Sequence, residues 1–200
     1  MTQASPRTKR ATQLEDRDGK DLRVALLQTD PLLGEVDTNL AALRDQLGQV
    51  GDCDVAVAPE LALNGYHLGM LQQVDSLTLD DPRLLALGRY PPALVAGFVE
   101  RRRHDHYNSA AVIDAERLQV QRKLYLPTYR AWEEGKHFKP GSRLRHFDLR
   151  GAQVAVLICN DLWQPPLPWL AVHGGLRFWW SSPTVAQATP RFRSRARGTS

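Results

Sequence analysis

Apolar and polar positions alternate along this chain with two different periods, and the change of period marks its elements. Leu22 to Gln28 reads as a first strand that Asp30-Pro31 and Gly34 bring to an end. Leu40, Leu43 and Leu47 then recur at helical spacing, with Thr38 as the expected N-cap and Gly48 and Gly51 closing the segment. Val55 to Glu60 is a second strand in which Pro59 discourages continuation of the ladder. A helix is expected to start at Asp80-Asp81-Pro82, with Leu84, Leu85 and Leu87 as its apolar side. Ala93 to Val99 and Ser109 to Ile113 read as strands, separated by a polar loop from Glu100 to Tyr107. The short polar link Asp114 to Arg117 makes Ser109 to Ile113 and Leu118 to Lys123 an antiparallel hairpin. Ser142 to Leu149 approaches a strand over Gln153 to Cys159, and Pro166 to His173 is a helix closed by Gly174-Gly175. Strands alternating with helices call for parallel pairing under helical cover, and the hairpin makes the sheet mixed, so the fold class is α/β.

The 200 residues suffice for one domain with a substantial core. Charge changes this picture only at the C-terminal end. Of the 26 Lys and Arg, five (Arg177, Arg191, Arg193, Arg195 and Arg197) fall in residues 176–200, where there is no acid, leaving 21 basic against 22 acidic residues elsewhere. The body is close to neutral, which argues against nucleic acid as a partner. Met1 to Lys20 is polar with no apolar core of a signal peptide, and no stretch is long enough to span a bilayer, so the expectation is a cytoplasmic protein without membrane attachment. Cys53 and Cys159 are expected as thiols. The organisation expected is a flexible leader over 1–20, one domain over 21–175 and an atypical basic, disordered tail over 176–200.

Three strand-like runs end on reactive groups: Glu60, Lys123 and Cys159. In layered α/β folds, ligands bind beyond the carboxyl ends of the strands, so three such ends suggest one site. A thiol needs a base to take its proton and positive potential to hold the thiolate, and Glu60 and Lys123 supply these. Lys123 and the Asn160 backbone N–H would meet the negative charge that develops when a thiolate attacks an amide or nitrile carbon. Glu60 would serve in turn as base and acid. Taken singly, the residues have plainer readings: a small apolar thiol, a solvated strand end and an edge-strand surface charge. The aromatic and charged stretch Tyr125 to Gly141 has the composition of an ordered functional loop, and substrate contacts are expected there. A Cys–His pair using His137 or His173 is the alternative thiol chemistry. Six histidines without an HExxH or paired CxxC motif give no support to a metal centre. Burial or tail exposure is the ordinary reading of Trp163, Trp169, Trp179 and Trp180.

Four stretches give the chain a family likeness. Pro59-Glu60-Leu61 with Gly65-Tyr66, Arg122-Lys123-Leu124-Tyr125-Leu126-Pro127, Leu157-Ile158-Cys159-Asn160-Asp161-Leu162-Trp163, and the loop Trp132 to Gly141 resemble the nitrilase superfamily of carbon-nitrogen hydrolases. The resemblance covers Leu22 to Gly175. It implies an αββα sandwich with mixed sheets, a Glu60–Lys123–Cys159 triad, Glu134 as a second glutamate that positions lysine and substrate, no metal or organic cofactor, and hydrolysis of a non-peptide amide, carbamoyl or nitrile compound through a thioester. Asn160, Tyr66 and Tyr129 are the further supporting or substrate-binding candidates. It also implies a homo-oligomer. The Ile158 to Trp163 motif with the Glu134 loop is similar, too, to glutaminase modules that feed ammonia to a synthetase.

Beyond Gly175 the family pattern is lost, so the second half of the sandwich is expected to be incomplete through truncation or a frameshift. A catalytically impaired remnant is therefore the competing reading. Such a chain is expected to expose unpaired strands.

Overall fold

The computed structural model describes residues 9–14, 22–68, 75–128, 133–173 and 178–182, the first and last of these as backbone path only. Tyr129 and the expected Gly174-Gly175 stop lie outside the described residues.

The elements are β1 (Lys9–Leu14), β2 (Leu22–Leu26), α1 (Val36–Gln49), β3 (Val55–Val57), α2 (Pro82–Leu85) running into a 3₁₀ turn over Ala86–Arg89, β4 (Ala93–Arg102), β5 (Asp105–Asp114), β6 (Arg117–Arg122), β7 (His146–Leu149), β8 (Ala152–Ile158), α3 (Pro166–His173) and β9 (Phe178–Ser182). β1 to β6 form one sheet in sequence order, and β7, β8 and β9 a second. β2, β3 and β4 run parallel, while β5 and β6 add antiparallel neighbours, so the sheet is mixed as expected.

Period two explains the layers. In β3, β4 and β5 one set of alternate residues, Val55, Val57, Ala93, Val95, Ala110 and Val112, meets Phe147, Leu149, Val154, Val156 and Ile158 of the second sheet. The other set, Ala56, Leu94, Ala96, Phe98, Ala111 and Ile113, faces Leu40, Leu43 and Leu47 of α1 and Leu84 and Leu87 of the α2 region. Ala155, on the far face of β8, packs against Ala171 of α3. Helix, sheet, sheet and helix therefore stack in that order, which is the αββα sandwich. The uninterrupted apolar runs are strands covered on both faces.

Several local expectations change. Thr38 is not the N-cap of α1: the helix begins at Val36 after Glu35, with no side-chain cap. Asn39 instead turns inward, its amide accepting from Leu32 N at 2.7 Å and donating to Leu63 O at 3.0 Å. Asp81 does cap α2, accepting from Arg83 N at 2.9 Å. Of its three leucines, Leu84 and Leu87 are buried while Leu85 is exposed. The polar segment 100–107 is not a loop. β4 and β5 continue through it in register from Val99↔Asn108 to Arg102↔Asp105, because backbone pairing does not require apolar side chains at a sheet end.

The two chain ends, expected to be unstructured, each contribute a strand. Lys9–Leu14 pairs antiparallel with β2, and Phe178–Ser182 pairs parallel with β8. Trp163 and Trp169 are exposed instead of packed, since α3 turns Leu167 and Ala171 inward and leaves Trp169, Leu170 and Val172 outside. Among the described residues no helix is long and apolar enough to cross a membrane.

Phe98, fully buried between β4 and the helices, carries much of this packing. Phe98→Ala is expected to lower unfolding free energy by about 3–5 kcal/mol in urea titrations, whereas Trp169→Ala is expected to change it by less than about 1 kcal/mol.

Candidate active site

β6 runs antiparallel to β5, and β5 antiparallel to β4, so β6 shares the direction of β3 and their carboxyl ends lie at one rim of the sheet. Glu60 follows β3 and Lys123 follows β6. The Lys123 ammonium donates to Glu60 Oε1 at 2.7 Å and to Glu134 Oε1 at 2.8 Å. Both carboxylates and the amine are buried. Lys123 is therefore not the edge-strand surface charge that composition alone permits.

Two further donors complete the arrangement. Asn108 Nδ2 on β5 donates to Glu60 Oε1 at 2.7 Å, and the Tyr66 hydroxyl donates to Glu134 Oε1 at 2.5 Å. Glu134 Oε2 is buried with no hydrogen-bond partner among the described residues. Burial is the largest effect on the Lys123 ammonium and pulls its pKa down, but Glu60 and Glu134 together more than offset it and the net shift is upward. The amine stays charged. Burial, again the largest effect, raises the Glu134 carboxyl, with Lys123 opposing and Glu60 adding to the rise.

The turn that presents Glu60 is over-determined. Leu61, directly after it, has φ of 50°, a left-handed conformation that only a constrained backbone imposes on leucine. Asn39 holds Leu63 O, Asn64 Oδ1 accepts from Val99 N at 2.7 Å, and Gly97 of β4 lies directly beneath. A Cβ on Gly97 would come within 2.3 Å of Leu61 N and 2.6 Å of Pro59 O. Only glycine lets the turn sit on the strand.

Cys159 ends β8 with φ of 45°, so the backbone leaves the strand abruptly at the thiol and enters a 3₁₀ turn over Cys159–Trp163. Its side chain packs at the margin of the inter-sheet core and is half-buried. Asp161 connects this turn to the lysine strand. Its Oδ1 accepts from Leu124 N at 3.0 Å and Tyr125 N at 2.8 Å, and its Oδ2 from Ile158 N at 3.1 Å. Asn160 Nδ2 adds a bond to Tyr125 O at 3.0 Å. The residue before Cys159 and the two residues after Lys123 thus share one carboxylate. Tyr66 joins the groups from the other side: its phenol is held well above the ordinary range by burial first, then by the charges of Glu134, Glu60 and Cys159.

Glu60, Lys123, Glu134 and Tyr66 are accordingly in direct hydrogen-bond contact, and Cys159 and Asn160 sit on the adjoining turn. Of the alternative histidine partners, His173 packs its ring against Trp169 at the end of α3, and His137 lines a neighbouring cleft of about 640 Å³ that also takes in Tyr125 and Phe138. That cleft is bordered by none of Glu60, Lys123, Glu134 and Cys159. Asn108, Gly97 and Asp161 were not legible as site residues. The one sequence signal for Asn108 is a polar amide beside an apolar strand, and for Asp161 its place two residues after the cysteine.

Residues 23–178 match the carbon-nitrogen hydrolase family. The glutamine-dependent NAD(+) synthetase of Thermotoga maritima is 35% identical over 157 residues, covering 74% of this chain and 27% of that protein. Its counterpart from Acinetobacter baylyi is 31% identical over 157 residues, covering 72% and 28%. The chain spans about a quarter of the length of these relatives. Among solved structures, a glutamine-dependent NAD+ synthetase from Acinetobacter baumannii superposes with a TM-score of 0.75 at 27% identity, over 84% of this chain and 33% of that one. An amidase from Nesterenkonia sp. shares the fold with a TM-score of 0.71 at 22% identity, over 84% and 66%.

Gly97→Ala is expected to cost about 2–4 kcal/mol of unfolding free energy by driving a methyl group into the Glu60 turn. Retention of full stability in urea titrations would show that the turn can yield. For Asp161, burial raises the carboxyl from 3.8 to about 6, against the pull of the Tyr125, Ile158 and Leu124 amides and of Lys123. A pKa higher in the folded than in the unfolded state gives a contribution that is complete below the unfolded value and lost as pH rises through the folded one. Wild-type stability relative to Asp161→Asn is therefore expected to fall by on the order of 2 kcal/mol between about pH 4 and about pH 7. A difference independent of pH would exclude Asp161 as the titrating group.

Proposed function

Because this chain belongs to the carbon-nitrogen hydrolase family, we propose that it cleaves the side-chain amide of glutamine to glutamate and ammonia, with Cys159 as nucleophile, Glu60 as general base and acid, and Lys123 as electrostatic stabiliser. The observation that carries the reading is the buried Lys123 ammonium held between Glu60 and Glu134, on a strand end that Asp161 ties to the Cys159 turn. Glutamine is favoured over other amides, carbamoyl compounds and nitriles by the glutamine-dependent relatives, and the same likeness favours a module that delivers ammonia to a synthetase.

In the proposed sequence Glu60 takes the proton of Cys159, and Sγ attacks the amide carbon. Negative charge moves to the carbonyl oxygen, where the Lys123 ammonium and the Asn160 N–H oppose it in a site from which water is largely excluded. As the tetrahedral centre collapses, the carbon–nitrogen bond breaks, Glu60 returns the proton to nitrogen, and ammonia leaves a thioester on Cys159. Glu60 then takes a proton from water, hydroxide attacks the thioester, and glutamate and the thiol are regenerated. Glu134 acts through position. Its Oε1 is committed to Lys123 and Tyr66, and its unpartnered Oε2 is suited to accept an N–H of the substrate. Tyr129 remains a proposed substrate contact on the loop between Lys123 and Glu134. A homo-oligomeric assembly is likewise part of the proposal.

Ammonia release from glutamine, read by a coupled assay, is expected for the chain and is expected to be abolished in Cys159→Ala. Glu60→Gln is expected to lower kcat by about 10²–10⁴-fold. Intact mass should reveal a covalent adduct at Cys159 with a chloroketone analogue of glutamine. Absence of both ammonia and adduct would favour an inactive remnant, and turnover of other amides or nitriles without glutamine would overturn the substrate.

A further inference from the structure

On the far side of β6 from the paired strand β5, the chain over 141–145 runs alongside and encloses a cleft of about 520 Å³. Four of the side chains that line it are arginines: Arg102, Arg122, Arg143 and Arg145. No acid lines it. Asp105, opposite Arg102 in the β4–β5 ladder, borders the other cleft instead. Outside residues 176–200 the chain has 21 basic and 22 acidic residues, so this accumulation is local and not a reflection of overall charge.

The rim is also held in place. Arg122 Nε donates to Glu100 Oε2 at 2.8 Å, a second Arg122 nitrogen pairs with Glu100 Oε1, and the guanidinium lies 4.2 Å over the Tyr107 ring. Buried Glu100 thereby neutralises one guanidinium, while Arg102, Arg143 and Arg145 have no ion-pair partner among the described residues. The segment bearing the last two is fixed by Gln121, whose fully buried amide donates to Arg143 O at 3.0 Å and accepts from Arg145 N at 2.9 Å. Gly141 completes the approach, its N–H donating to Lys123 O at 2.7 Å. A Cβ there would stand 2.7 Å from Arg122 O. A buried glutamine on β6 thus holds an arginine-bearing segment at a fixed spacing.

We propose that this cleft binds an oligophosphate, either free or carried on a small organic molecule. Guanidinium groups match phosphate oxygens bidentately and are less strongly hydrated than ammonium, so a preorganised arginine rim suits phosphate better than scattered lysines would. The volume falls in the range of small-molecule sites, and the partly exposed Leu118 offers an apolar surface for the body of such a ligand. A nucleic acid carries charge every few ångströms over a long path and needs a basic stripe, whereas these four arginines line a single concavity.

Calorimetric titration of the chain with inorganic tripolyphosphate at low salt tests this, with ATP as a second arm. Binding at a Kd of about 10–100 μM is expected, weakened at least about tenfold by the double variant Arg143→Glu, Arg145→Glu. The same charge change made elsewhere, Arg89→Glu with Lys136→Glu, is expected to alter Kd by less than about threefold at matched ionic strength. Tighter binding of ATP would assign the phosphates to a nucleoside carrier, and equal affinity would assign them to free polyphosphate. Equal losses in the two double variants, or no binding below about 1 mM, overturn the site. Arginine-dependent binding of a penta-glutamate peptide in preference to tripolyphosphate overturns it in favour of an acidic protein partner. The readout is heat of binding, so it stands independently of ammonia release.

Discussion

An ammonium removed from water must be matched by charge at close range, and in this protein that requirement organises one whole rim of the fold. Lys123 is 1% exposed, and the cost of dehydrating it is returned only because Glu60 and Glu134 lie within hydrogen-bond distance. Two carboxylates around one amine leave a negative excess, which Asn108 and Tyr66 distribute by donating to the same oxygens that face the lysine. Removing Lys123 would leave two buried carboxylates without their cation. This is why residues from β3, β5, β6, the Glu60 turn and the Glu134 loop must arrive together.

Backbone strain serves the same end. Leu61 and Cys159 both adopt left-handed conformations at the points where strands β3 and β8 give way to turns, and each is fixed by neighbours that leave no alternative. Gly97 provides the floor under the first turn. Asp161 provides the tie for the second, and it does so by bonding to main-chain amides, which makes its function insensitive to the identity of Leu124, Tyr125 and Ile158. The two sheets are thus coupled by the inter-sheet core and, at the rim, by this carboxylate together with the Asn160 amide.

Charge is arranged on the opposite principle at the edge of β6. There Glu100 pairs with Arg122, and the buried Gln121 amide holds the backbone of the segment that carries Arg143 and Arg145, so arginines with no carboxylate partner among the described residues gather beside one strand. A protein with a nearly neutral body can concentrate potential in this way without raising its net charge.

The elements themselves were legible in the chain because their cause is local. The uninterrupted apolar runs Val55 to Val57 and Ala93 to Val99 report burial on two faces, Asp81-Pro82 reports a helix start, and the apolar run ending at Cys159 reports a covered strand. The motifs around Glu60, Lys123, Glu134 and Cys159 carried the family likeness and the αββα expectation. What only the tertiary structure decided depends on contacts between distant segments. The polar stretch 100–107 became strand because β4 and β5 extend each other. Lys9–Leu14 and Phe178–Ser182 became strands because β2 and β8 offered unpaired edges to backbone groups, whatever their side chains. Gly97 and Asn108 joined the site through neighbours 36 and 48 positions away in the chain, Leu61 and Glu60, and no periodicity encodes such a distance. The left-handed turn at Cys159 and the lone carboxylate that ties it to the lysine strand are likewise properties of packing, since each is stable only when the groups on the other sheet are already in place.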